Sequence, residues 1–289
     1  MKLDLRTLST VEIQNYLQHA IAPRPVCFAS TIDKEHNVNL SPFSFFNMFS
    51  SNPPVVIFSP ARRVRNNTTK HTLENLKQVP EVVINIVDYN MVQQVSLASC
   101  EYPKEINEFI KAGFTAEDST LIRPPMVKES KVKLECLVKE IKPLGTEGGA
   151  GNLVICEVIF MHIDDSILDE NNKIDQTKLH HIARLGGDWY AKIDSSNLFK
   201  VPKPNTQLGI GIDALPSAIK NSKHLSGNDL GMLANIHVMP ENKFENLPQN
   251  IKSAIADCNF NEESIHKLAK NLLQKNQIEE AWQVLLSNG

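Results

Sequence analysis

Two long apolar segments, "KVKLECLVKEI" at 131–141 and "NLVICEVIFMHI" at 152–163, are joined by the short link "GTEGGAGN". No other feature restricts the fold as much. Runs this rich in β-branched residues on either side of a glycine link predict one hairpin of two adjacent long strands. In the second run both alternating sets of side chains are apolar, which predicts a central strand buried on two faces. Glycine loops that cradle phosphate open a helix, and this one opens a strand, so "GGAG" reads as a turn. Further strand patterns at "VCFASTI", "PVVIFSP" and "EVVINIVD" alternate with short helical stretches but show no regular βαβ repeat. The expected fold is therefore mainly β: an antiparallel barrel with helical additions.

Around that frame, Ser9 with Glu12 three residues on predicts a capped helix to about Ala20, ended by "APRP". Asn37 is the expected positive-φ residue of the "DKEHNV" turn, and Thr72 the expected N-cap of the helix "HTLENLKQV". Short helices are expected at "NMVQQVSLAS" and "EINEFIKAG", and His162 as a satisfied strand-end histidine. After about Lys200 the extended "VPKPN" leads into polar, proline-punctuated, helical patterns. The expected division is a barrel domain over 1–200 and a mostly helical C-terminal extension over 201–289. The latter closes on a helical hairpin in which Trp282 is a packing anchor.

With 30 basic and 33 acidic residues in 289, the formal charge is −3, which gives no reason to expect nucleic acid or an acidic membrane as partner. No run reaches the roughly 18 apolar residues of a membrane span, and the N-terminus lacks the apolar core of a signal peptide. A cytoplasmic location is expected. The five cysteines are scattered without a C-x-x-C pair, which argues against a disulfide framework and a metal site. Cys27, Cys136 and Cys156 fall in apolar strand patterns, whereas Cys100 is expected to be exposed.

The stretch "NLSPFSFFNMFSSNPPVVIFSP" interleaves five phenylalanines with serines and asparagines and keeps aromatics on both faces. Directly after it, "ARRVRNNTTKHT" brings Arg62, Arg63, Arg65 and Lys70 to the mouth of a helix, the parts that a phosphomonoester needs. One ligand with a flat polar ring and a single phosphate accounts for both, and FMN is such a ligand. A dinucleotide fold lacks its G-x-G-x-x-G, and no G-x-S-x-G supports a hydrolase.

These segments, in the order "APRPVCFASTIDKEHNVNLSPFSFFN", "KHTLEN", "VVINIV", "ASCEYPKEINEF", "RPPMVKESKVKLEC" and "ARLGGDWY", resemble the flavin reductase-like, FMN-binding split-barrel family that includes flavoredoxin. The likeness covers about residues 10 to 200. It implies a Greek-key split β-barrel, a homodimer, and FMN in a groove near the dimer interface. It puts the flavin ring near Ser30, Thr31, Ser41, Pro42, Phe43, Ser44, Phe45, Phe46 and Asn47, and the phosphate near Arg62, Lys70 and Thr72. Arg184, in "ARLGG", corresponds to a family position beside the flavin. "KHT" stands where the family often has K-D-T, so His71 replaces an acid. The expected activity is an oxidoreductase that takes hydride from NADH or NADPH onto FMN and passes electrons to free flavin or another acceptor. A non-catalytic FMN electron carrier and a flavin-free interaction module stay open. No catalytic acid, base or nucleophile is expected.

Overall fold

The long apolar runs pair as one antiparallel ribbon in the computed structural model, which describes residues 1–203, 207–259 and 261–287. In chain order the strands are β1 (Arg24–Pro25), β2 (Cys27–Ile32), β3 (Val38–Phe43), β4 (Phe46–Ser51), β5 (Pro54–Phe58), β6 (Glu81–Ile86), β7 (Ala116–Glu117), β8 (Met126–Val127), β9 (Val132–Pro143), β10 (Asn152–Ile163), β11 (Ile182–Arg184) and β12 (Tyr190–Lys192). The main sheet runs β3-β2-β6-β9-β10-β5-β4, antiparallel throughout. Its two edge strands are consecutive in the chain, joined only by Ser44 and Phe45. Three Cα steps reach at most about 11 Å. The sheet must therefore curl until its edges meet, yet no ladder joins β3 to β4. That is a split barrel.

The barrel interior takes alternate residues from each strand, among them Cys27, Ala29, Phe43, Phe58, Ile84, Leu134, Cys136, Val154 and Cys156. The residues between them serve a second core: Val26, Phe28 and Leu40 pack under helices α3 (Val92–Ala98) and α4 (Glu108–Ala112), which follow α1 (Thr10–Ala20) and α2 (His71–Gln78) in the chain. β2 is thus buried on both faces because it has a layer on either side. β10 differs from its expected two-sided burial. Asn152, Val154 and Cys156 are buried, but Phe160, Met161 and Ile163 are exposed. β5 meets β10 only at Val154–Glu157, so the outer half of β10 is an edge, paired on one side alone with the part of β9 that β6 flanks.

Two local expectations are corrected. His36, with φ 66°, takes the left-handed position in the β2–β3 turn. Asn37 instead donates its backbone N–H and its side-chain amide to Asp33, at 2.9 and 3.0 Å. Helix α2 begins at His71 with Lys70 as its N-cap residue. Thr72 lies inside the first turn, fully buried, and donates its hydroxyl to Asn39 Oδ1 at 2.7 Å. The capping box at Ser9 and Glu12 forms as expected.

Compact units span Met1–Phe199 and Lys200–Gly289. The second is helical: α5 (Ser217–Lys220), α6 (Gly227–Ala234), α7 (Gln249–Asp257), α8 (Glu262–Gln274) and α9 (Ile278–Leu286). It has its own apolar core, centred on Leu233, Ile255, Ile265, Ala281 and Trp282. The indole N–H of Trp282 donates to Leu233 O at 3.2 Å, which satisfies its one polar atom. No described helix is long and apolar enough to cross a membrane.

Candidate flavin-binding groove

The edge-to-edge link of the barrel decides where the polar aromatic stretch faces. Pro42, Phe43 and Ser44 line a cavity of about 320 Å³ whose opposite wall is Ser96, Ser99, Arg184, Asp188 and Tyr190. Pro42 and Ser99 continue into a narrow cleft with Ser41, Arg63, Lys70, His71 and Cys100. One groove therefore runs from a guanidinium at Arg184, past hydroxyls and the Phe43 ring, to a second cationic end. The strands twist Phe45 away from Ser44, into another chamber.

The cationic end is held from three sides. Lys70 stands over the Phe43 ring, its ammonium 5.4 Å from the centroid. Burial, and then the charge of Arg63, pull the Lys70 pKa down, with Glu101 opposing. Arg63 Nε lies 3.1 Å from Glu101 Oε1, and Arg65 pairs with the same carboxylate. Arg63, Arg65 and Lys70 thus meet two carboxylates here, Glu101 and Glu108, which leaves an excess of one positive charge for an anion. The floor is polar: Asn39 Nδ2 and the Leu40 N–H donate to buried Glu108 at 2.8 and 3.0 Å. Burial raises the Glu108 pKa against those bonds.

The glycine turn contributes from outside. Arg62 N–H donates to Ala150 O at 2.8 Å, and Gly149 N–H to Arg62 O at 3.0 Å. A Cβ at Gly148 would stand 2.9 Å from Val64 O. The "GGAG" tip therefore clamps the basic segment, and glycine allows the approach.

The expected ligand residues divide. Ser41, Pro42, Phe43, Ser44, Lys70 and Arg184 share the groove. Phe45, Arg62 and Lys70 line the second chamber, between α1 and the 61–64 loop, and Arg62 Nε donates to Asn67 Oδ1. Ser30, Thr31 and Thr72 are fully buried. The Thr31 hydroxyl accepts from Asn75 Nδ2 at 3.2 Å, while the Ser30 hydroxyl has no partner among the described residues. Phe46 is half-buried against the barrel core, and Asn47 is exposed, its Oδ1 accepting from Met48 N–H at 2.8 Å. Arg63, Ser96, Ser99 and Tyr190 were not among the residues expected to line the site. Arg63 carried a signal as part of the basic run, and Ser99 and Tyr190 stood in the motifs "ASCEYPKEINEF" and "ARLGGDWY" without being singled out. Arg184 lies 4.5 Å from the Tyr190 ring and donates to Gly187 O at 2.6 Å.

Comparison with known proteins follows the same outline. The family profile described as "Flavin reductase like domain" matches residues 19–181. An uncharacterised protein of Halalkalibacterium halodurans is 33% identical over 206 residues, 71% of this chain and 97% of that one. One from Aquifex aeolicus is 37% identical over 172 residues, 60% of this chain and 85% of its own. Among solved structures, nitrilotriacetate monooxygenase component B from Bacillus cereus superposes with a TM-score of 0.65 at 28% identity, covering 70% of this chain and 98% of that one. The flavoredoxin of Desulfovibrio vulgaris (Miyazaki F), at 17% identity and a TM-score of 0.53 over 71% of this chain and 98% of its own, shares the fold. With its split barrel and a family match over more than half its length, this chain belongs to the flavin reductase-like family.

Proposed function

We propose that the chain is an FMN-dependent oxidoreductase that accepts hydride from NADH or NADPH and delivers electrons to free flavin or another acceptor. The observation that carries this reading is the single groove from Arg184 to Lys70. At its cationic end Arg63 and Lys70 have the chemistry to hold one phosphate beside a cleft of about 20 Å³, and its hydroxyl- and ring-lined body suits a flat polar ring. Bound FMN supplies the redox chemistry, an isoalloxazine ring that takes up and releases electrons. In this reading Lys70 and Arg63 hold the phosphate, and Arg62 lines the neighbouring chamber with its Nε on Asn67. Pro42, Phe43 and Ser44 orient the ring, and Arg184, braced on Tyr190, sets positive charge where negative charge accumulates on reduction.

A homodimer belongs to the same proposal. Phe49 and Trp189 are 64% and 73% exposed, and Met48, Phe160 and Met161 are also exposed, large apolar side chains of the kind that pairing with a second copy covers. Two measurements test the function. FMN binds at least 10-fold more tightly than riboflavin in a fluorescence-quenching titration, as expected for a lost set of charge-assisted bonds; equal affinities remove the phosphate assignment. Anaerobic NADH or NADPH bleaches the bound flavin. If only dithionite does so, the chain is an electron carrier and not a reductase.

A further inference from the structure

The second chamber, about 520 Å³, shares Arg63 and Lys70 with the proposed flavin groove but extends from them along α1. One wall is the apolar face of α1 (Ile13, Leu17, Ile21), and the other carries Phe45 and Val64. Arg24, Arg62, Arg63 and Lys70 border it, and no Asp or Glu does among the described residues.

Arg62 donates to Asn67, Arg63 pairs with Glu101 and Lys70 belongs to the groove, whereas Arg24 has only backbone carbonyls as hydrogen-bond partners among the described residues. Its residue is 8% exposed, and no described carboxylate lies within salt-bridge distance. Nη1 donates to Gln18 O and Ile21 O, at 2.7 and 2.5 Å, and Nη2 to Leu185 O at 2.9 Å. Those bonds close the C-terminal end of α1, which is a structural duty in itself. They leave two of the five guanidinium N–H groups. Nε has no acceptor among the described residues, and Nε with the second Nη2–H is the side-on fork that fits a carboxylate. In the β1–β11 ladder Arg24 stands directly opposite Arg184, a like-charge pair that costs stability. Three neutral carbonyls do not neutralise a buried cation beside another cation.

We infer that the α1 chamber is a second binding site, for a small anion with a flat apolar body, an aromatic carboxylate whose acid group is received by Arg24. The Phe45 ring, centred 5.9 Å from the guanidinium carbon and 44% exposed, roofs the fork and has to turn aside. α1 supplies the apolar wall, and the chamber volume is ordinary for a small-molecule site. The site does not depend on the flavin reading, because none of its argument uses a bound flavin.

The test is calorimetric titration of the full chain, flavin-free and FMN-loaded, with 2-naphthoate and with its uncharged amide. The acid is expected to bind at least 10-fold more tightly than the amide, the ratio that charge-assisted hydrogen bonds provide. Arg24→Gln should erase that ratio. Because Arg24 also closes α1, Leu17→Trp is the second variant: it fills the chamber and should abolish naphthoate binding while FMN affinity is kept. Equal affinity for acid and amide, no binding at millimolar concentration, or naphthoate binding unchanged by Leu17→Trp overturns the inference. One-for-one displacement of naphthoate by FMN also overturns it, since the chamber would then be the flavin's own.

Discussion

Lys70 is half-buried beside Arg63 and over an aromatic face, a placement that raises the cost of its charge until an anion arrives. Lys70→Ala is expected to weaken FMN about 10- to 100-fold, the worth of a charged hydrogen bond, with riboflavin unchanged. Paired fluorescence titrations check it. Arg184→Ala is expected to slow flavin reduction by NADH or NADPH more than it weakens FMN, because its charge matters most as the ring becomes negative. A stopped-flow comparison with a measured Kd separates the two effects. Asp33 carries a pH prediction. Burial would raise its carboxyl, but the Asn37 side chain and N–H and then Lys104 outweigh that and hold it at about 2, from 3.8. Its folded value is depressed, so its stabilisation is present above pH 4 and is lost as the pH falls towards 2. Asp33→Asn should cost about 1–2 kcal/mol at pH 7, allowing for water around Lys104, and should flatten the acid limb of a urea-midpoint series.

At the scale of elements, the site is assembled by backbone contacts between segments distant in sequence. The β9–β10 turn bonds to the basic segment through Ala150 and Gly149, and Asn152 Nδ2 donates to Pro60 O at 2.9 Å. Gly148→Ala puts a methyl against the Val64 and Arg63 carbonyls, 2.9 and 3.1 Å away, and backbone cannot step aside as a side-chain tip can. The expected cost is about 1–3 kcal/mol in denaturant unfolding, with a parallel loss of FMN affinity as the basic segment shifts. Retained affinity in a destabilised variant would show that the clamp stabilises without positioning Arg63 and Lys70.

For the whole molecule, two units with separate cores imply separable folding. A chain ending at Phe199 is expected to remain soluble and to keep its flavin, since every residue of the groove lies before it. Differential scanning calorimetry of the full chain should then show two transitions, one of them raised by added FMN. Light scattering is expected to return twice the 32.4 kDa chain mass. The solved B. cereus structure is covered almost fully by 70% of this chain. The share outside that match is close to the length of the 200–289 unit.

Local chemistry was legible in the sequence wherever a few neighbouring residues decide it. The Ser9–Glu12 capping box, the β2–β3 hairpin, the long β9–β10 ribbon and the buried strand cysteines all follow from periodicity and short-range hydrogen bonding. The resemblance in motif order identified the split barrel. Where the competition is between adjacent residues, the sequence was less decisive. His36 rather than Asn37 takes the left-handed turn, because Asn37 is engaged by Asp33. Thr72 is drawn inward by Asn39 rather than left free to cap. The division of the aromatic stretch was settled only in three dimensions. Ser44 and Phe45 are neighbours in sequence, yet they line different chambers because the sheet's two edges meet at their peptide link. The choice of Arg63 over Arg62 for the groove is set by the bonds of a glycine turn some 85 residues onward. Closure of a sheet on itself is a long-range condition, and no window of local sequence contains it.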